Sequence, residues 1–143
     1  MKSQKIKLEF PAKSINEGFA RVFAAAFAAR LDPTMEELAD IKTAISEAVT
    51  NAVVHAYPST EGKIRMTACA DGDTLEYTVK DSGVGIPDIK KAMEPLYTTG
   101  GEERSGLGFT IMQSFMTKVR VSSKEGRGTT VKMTKKIGAR TGI

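Results

Sequence analysis

The chain has 143 residues, 41% of them hydrophobic, and a formal charge of +4. This is the length of one domain with one core, residues 1–143, and it leaves no room for a second coupled domain. With no tryptophan and 6% aromatic residues, a stacking platform for single-stranded nucleic acid is not expected, and no direct nucleic-acid partner is assigned.

The opening residues alternate polar and apolar through Ile6, Leu8 and Phe10 until Pro11, which predicts a strand and is not the apolar region of a signal peptide. From Ser14 the period becomes helical: Ile15, Phe19, Val22, Phe23, Ala26 and Phe27 recur at helix spacing, and the helix should end near Leu31. Its other face, Glu17, Arg21, Ala24, Ala25 and Ala28, is small and lightly charged, which suits a partner helix or subunit. The apolar run Val22–Ala29 is too short to cross a bilayer, so no membrane association is expected.

Asp32-Pro33 marks a turn, and Thr34 followed by Glu37 predicts a capping box at the start of a second helix. Leu38, Ile41, Ile45, Ala48, Val49, Ala52 and Val53 form its expected buried stripe, and Pro58 ends it. Two alternating runs around the turn Asp71-Gly72-Asp73 predict a hairpin. The single cysteine, Cys69, lies in the first run. It excludes an intramolecular disulfide and fits a reducing, cytoplasmic location.

Beyond the hairpin come a glycine loop at residues 81–87, a short helix around Ile89–Met93 and an aperiodic segment at 96–106 that suggests a mobile loop. Leu107, Ile111 and Phe115, with Met112 and Met116, predict a helix opening just after Gly106. Two strands around the turn Glu125–Gly128 close the chain, with Val131 and Met133 inward. The order implies an α/β two-layer sandwich, helices on one face of a mainly antiparallel mixed sheet. The lysines are dispersed among acids. Net charge alone favours an ordinary solvated surface with a cationic tail over a site for an acidic partner or nucleotide.

Four segments carry polar groups suited to a nucleotide. Glu47 and Asn51 lie one turn apart on the second helix. A carboxamide oxygen is a hard ligand for Mg²⁺, and a carboxylate beside it can accept a proton from an attacking hydroxyl. As an isolated pair they read first as a plain polar helix face. Asp81, set directly after a strand and followed by Gly83 and Gly85, can accept a hydrogen bond from the exocyclic amine of adenine, where guanine presents a carbonyl. Ser105-Gly106-Leu107-Gly108 opens the third helix, whose first amides suit phosphate, with Arg104 beside them. The hydroxyl of Thr130, in Gly128-Thr129-Thr130, suits the wall of an adenine pocket.

Taken together, these segments resemble the GHKL superfamily of ATP-binding domains, with its Bergerat fold. EAVTNAVVHA (47–56) resembles the N box, DSGVGIP (81–87) the G1 box, RSGLGFTIM (104–112) the G2 box, and GTT (128–130) the last adenine-contacting segment. The whole chain, through FPAKSINEGFARVFAAAF, LDPTMEEL and RSGLGFTIMQSFM, is similar to the sporulation anti-sigma factors that restrain sigma-F. That family also contains serine kinases acting on a STAS-fold anti-anti-sigma protein, and it resembles the stress-response anti-sigma-B kinases.

The resemblance implies ATP or ADP with Mg²⁺ at Asn51, Glu47 as general base, and Asp81, Gly83 and Gly85 at adenine. It further implies an ATP lid at 96–106, nucleotide contacts from Thr99 and Leu107, Ser105, Gly106 and Gly108 around the phosphates, and Arg104 on the terminal phosphate. It places the protein-partner surface around Glu17 and Arg21 and implies a homodimer. Three rival readings are a sensor histidine-kinase catalytic domain, an Hsp90- or gyrase-type ATPase, and a nucleotide-gated sigma-binding module without transfer. The first lacks a phosphoacceptor helix, since His55 is the sole histidine and sits at a helix end. The second lacks coupling domains. The third shares the same pocket.

Overall fold

The computed structural model describes residues 3, 5–56, 62–85 and 104–138. The expected short helix at 89–93, Thr99 and most of the expected lid lie outside them, as do the side chains of residues 104–107. The elements run β1 (Ile6–Pro11), α1 (Asn16–Ala28) with a 3₁₀ turn at Ala29–Leu31, α2 (Met35–Asn51) with a π-helical turn at Ala52–Ala56, β2 (Lys63–Asp71), β3 (Thr74–Asp81), α3 (Arg104–Phe115), β4 (Lys118–Lys124) and β5 (Gly128–Lys136).

The sheet order is β1-β2-β3-β5-β4. Each of its four pairings is antiparallel, so among the described residues the sheet is antiparallel throughout and not mixed. Both predicted hairpins form. Gly72, at φ 62°, takes the first central position of a two-residue turn between β2 and β3. Residues 125–127 join β4 to β5.

The period-two pattern sorts each strand into two faces. Ile64, Met66, Ala68, Leu75, Tyr77, Val79, Val131 and Met133 turn toward the helices and are buried with them in one core. The Tyr77 hydroxyl ties the two layers by donating to the Ala24 carbonyl of α1 at 2.7 Å, and burial pushes its pKa up. The opposite face bears no helix among the described residues. β1 and β2 contribute Lys7, Glu9, Lys63, Arg65 and Asp71 to it, and β3 contributes Glu76 and Lys80. β4 and β5 contribute Lys118, Arg120, Lys124, Lys132 and Lys136.

α2 starts as the sequence predicts. The Thr34 hydroxyl accepts from the Glu37 amide at 3.0 Å, and the Glu37 carboxylate accepts from the Thr34 amide at 2.8 Å. Its buried residues, Ile41, Ala44, Ile45, Ala48, Val49 and Ala52, follow the expected stripe.

α1 is rotated from the expectation. Ala24 and Ala28 of the small-residue face are buried, with Ala20 and with Phe27 of the apolar stripe, and Phe23 is partly buried, while Ile15 is 83%, Phe19 53% and Val22 63% exposed. The reason is packing distance: α1 lies against α2 and β2, and small side chains at a helix contact let the backbones approach closely. Periodicity alone could not choose between two apolar stripes. The seam of α3 also differs, with Phe109, Met112 and Met116 buried while Phe115 is 38% exposed.

Candidate nucleotide site

The site is built where α2 ends and α3 begins. Glu47 and Asn51 are both half-buried on α2. The two polar atoms of the Asn51 carboxamide, Oδ1 and Nδ2, are buried without a hydrogen-bond partner among the described residues. An unpaired buried amide costs about 1–3 kcal/mol, so its retention points to a ligand. The Ser46 hydroxyl is also buried and unpartnered among the described residues, but helix geometry sets it on the other flank of α2, away from Glu47 and Asn51. The helix widens into its π-helical turn directly after Asn51, a feature often found at functional sites. That turn touches β3 and β5, the strands that carry Asp81 and Thr129.

Gly108 brings α3 onto this pair. A Cβ placed at Gly108 would lie 3.0 Å from Asn51 Nδ2, 3.1 Å from Asn51 Oδ1 and 3.3 Å from Glu47 Oε2. The glycine is therefore a matter of approach: the two helices close on the carboxamide and the carboxylate with no side chain between them. With α3 running from Arg104, residues 104–107 form its first turn, whose amides lack intrahelical acceptors and suit an anion. The helix thus opens before Gly106 and not after it. Ser105, Gly106 and Leu107 lie in that turn, whereas Gly108 instead faces Glu47 and Asn51.

Asp81 ends β3 and is buried. Its Oδ1 accepts from the amides of Gly83 at 2.9 Å and Thr129 at 3.2 Å. Its Oδ2 makes no hydrogen bond among the described residues and remains available to an amine. Burial raises the Asp81 pKa, and the two amides oppose that rise by stabilising the anion. Gly85, at φ 79°, passes so close to β4 that a Cβ would come within 2.3 Å of the Lys124 carbonyl. The Gly126 amide donates to the Val84 carbonyl at 2.7 Å, which ties the glycine loop to the β4–β5 turn.

Thr129, not Thr130, stands beside Asp81. Val131 and Met133 point inward, so the pleat carries Thr129 inward as well and sends Thr130 to the outer face, opposite Lys80 and Ser122. The Thr129 hydroxyl pairs with the Ser123 hydroxyl at 2.8 Å. The signal that identifies Thr129 was the inward register already assigned to Val131.

On α1, Glu17 and Arg21 form an i,i+4 ion pair at 3.5 Å on the flank of the helix. They are remote in sequence from the four segments above. Among the described residues no group of three or more His, Cys, Asp or Glu side chains could hold a metal.

A family model for the histidine kinase-like ATPase domain matches residues 10–135. An anti-sigma F factor of Thermoanaerobacter sp. strain X514 is 55% identical over 135 residues, covering 94% of each chain. Another, from Clostridium acetobutylicum, is 51% identical over 137 residues, covering 95% of this chain and 96% of that one. The chain is a member of the anti-sigma F factor family.

Its domain is the nucleotide-binding α/β sandwich of the histidine kinase-like ATPases, as the GHKL resemblance implied. Solved structures agree on the fold. The RsbU and RsbW domains of a Mycobacterium tuberculosis protein superpose with a TM-score of 0.69 at 22% identity, covering 94% of this chain and 33% of that one. The catalytic domain of the histidine kinase ThkA gives 0.57 at 19% identity, covering 92% of this chain and 97% of that one. No helix of the described residues is long and apolar enough to cross a membrane.

Proposed function

We propose that this anti-sigma F family member is an ATP-dependent protein serine kinase that also binds and inhibits a sigma factor, its substrate being a STAS-type anti-anti-sigma protein. The observation that carries the catalytic half is the Asn51 carboxamide, buried with both polar atoms unpaired beside the Glu47 carboxylate and under Gly108. A buried neutral oxygen donor with room for water and phosphate suits Mg²⁺, so Asn51 would hold the ion. When bound, it would neutralise charge on the phosphate oxygens.

The protein's own residues do the rest. Asp81 Oδ2 accepts from the adenine amine and sets the base in place. The first-turn amides of α3, with Ser105, Gly106 and Leu107, hold the phosphates, and Arg104 meets the terminal one. Thr99 in the lid belongs to the same proposed set. The substrate serine oxygen attacks the terminal phosphorus while the bond to the bridging oxygen breaks. ADP leaves, and the serine proton passes to Glu47. Positioning and charge stabilisation are most of what phosphoryl transfer requires.

The names borne by the relatives support the sigma-binding half. α1 is the proposed surface for the sigma factor. Ile15, Phe19 and Val22 form an exposed apolar stripe, flanked by the Glu17–Arg21 pair, which is the anatomy of an apolar interface centre with a charged rim. A homodimer is proposed as the working assembly, and its mass in sedimentation decides it.

The test of the kinase is incubation with labelled ATP, Mg²⁺ and the STAS-type partner. Label on a partner serine, lost in Glu47→Gln while ATP binding persists, supports it. A wild-type protein that binds the sigma factor and transfers no label would leave only the nucleotide-gated module. An anti-sigma-B-type role would show instead as preference for a stress-response sigma factor in the same binding assay.

A further inference from the structure

The cations dispersed along the sequence gather in the fold. The outward face of the sheet bears nine lysines and arginines against the three carboxylates Glu9, Asp71 and Glu76. That surplus of six exceeds the surplus of four carried by the whole chain, so everything off this face is net acidic.

The charge is densest over β4 and β5. Arg120 and Lys132 are direct cross-strand partners, a like-charge pairing that weakens a sheet. With Lys118, Thr134 and Glu76 they line an open cavity of about 230 Å³. Glu76 engages Lys132 at 3.5 Å, while Lys118 and Arg120 have no acidic partner among the described residues. Lysine on an edge strand such as β4 discourages aggregation. That purpose does not account for Lys132 and Lys136, which stand on the interior strand β5.

We propose that the β4–β5 end of this face docks an acidic segment of a protein partner. The chemistry selects the occupant. Between the cations the outward positions include Thr67, Thr74, Thr78, Ser122, Thr130 and Thr134, and Cys69 among them is buried, which leaves no exposed apolar anchor on these strands to enter a bilayer and no ring on which a base could stack. A polynucleotide backbone would offer only acceptors to the Glu76 carboxylate in the cavity wall. A polypeptide offers carboxylates to Lys118 and Arg120, and N–H donors to Glu76 and the threonine hydroxyls. The surface lies on the side of the sheet away from α1 and the nucleotide site, so the inference stands apart from the kinase assignment.

The probe is a synthetic peptide of alternating glutamate and serine, titrated into the full chain and followed by amide NMR and fluorescence anisotropy. Expected are shifts at Lys118, Arg120, Lys132 and Thr134 and an affinity that falls with salt. Arg120→Glu should weaken binding by about tenfold, with Lys118→Glu as the second variant. Lys42→Glu, the same charge change on the exposed side of α2, should leave it nearly unchanged. ATP affinity should be unaffected in all three. Absent shifts on β4 and β5, or equal weakening by Lys42→Glu, would overturn the proposal. So would a DNA duplex that binds more tightly than the peptide through the same residues, since the occupant would then be a polynucleotide.

Discussion

Asp81 shows a side chain that serves the site at some cost to the fold. Its ionised form is the proposed acceptor for an adenine amine, yet burial raises its pKa. A carboxyl whose folded pKa exceeds its unfolded value stabilises fully only below the unfolded value, and that contribution is lost as pH rises through the folded one. At neutral pH the buried anion is therefore a stability cost. Asp81→Asn keeps an Oδ1 acceptor for the Gly83 and Thr129 amides and removes the charge. Its melting temperature at neutral pH should be no lower than wild type, while ATP affinity measured by calorimetry falls about ten- to hundredfold. A clear loss of melting temperature would assign the carboxylate a structural role instead. Gly108 makes the complementary case. Alanine is about 1 kcal/mol the better helix residue, but its methyl would press on Asn51 and Glu47. Gly108→Ala should melt no earlier than wild type and lose Mg²⁺-dependent ATP binding. Unchanged binding would show that the close approach is incidental.

At the scale of elements, the two long helices differ in how far local sequence sets them. α2 carries its own start signal, and Thr34→Ala removes the hydroxyl arm of the capping box while leaving the backbone amide that donates to Glu37. The expected loss is about 1 kcal/mol, a fall of roughly 2–8 °C in melting temperature, readable by circular dichroism. α1 has no side-chain cap, and its orientation is set by what it packs on. Its outward Phe19 and Val22 contribute little to the core. Val22→Glu should therefore leave the melt within about 0.5 kcal/mol of wild type while abolishing capture of the sigma factor in a pull-down. A strongly destabilised variant would mean that this stripe is covered within the fold.

For the whole molecule, cohesion between the layers rests on an apolar core with few polar ties. Tyr77 is one: its ring lies edge-on to Phe27 at 6.3 Å, and its hydroxyl reaches Ala24. Tyr77→Phe keeps the packing and removes the donor, and should cost about 1 kcal/mol in denaturant unfolding. Lys135 is another, bridging Asp40 of α2 at 3.1 Å and the Phe115 carbonyl at 2.6 Å. The helical layer carries the Glu47–Asn51 pair, and the side of the sheet without helices among the described residues carries the positive charge.

Local spacing was enough to set Glu47 and Asn51 on one helix face, the Thr34 capping box, both hairpins and the inward side of the β5 strand. Each depends on residues a few positions apart, so short-range geometry suffices. The same spacing also fixed which of Thr129 and Thr130 turns inward, through Val131 and Met133, although the motif drew attention to the other. What local spacing left open is decided by contacts far apart in sequence. It could not choose between two apolar stripes of α1, because that choice depends on how closely α2 and β2 approach. Nor could it set Gly108 against the Asn51 carboxamide, because α3 reaches α2 only through the folded core. The lysines look dispersed along the chain because strand alternation and antiparallel pairing, not sequence distance, collect them on one side of the sheet.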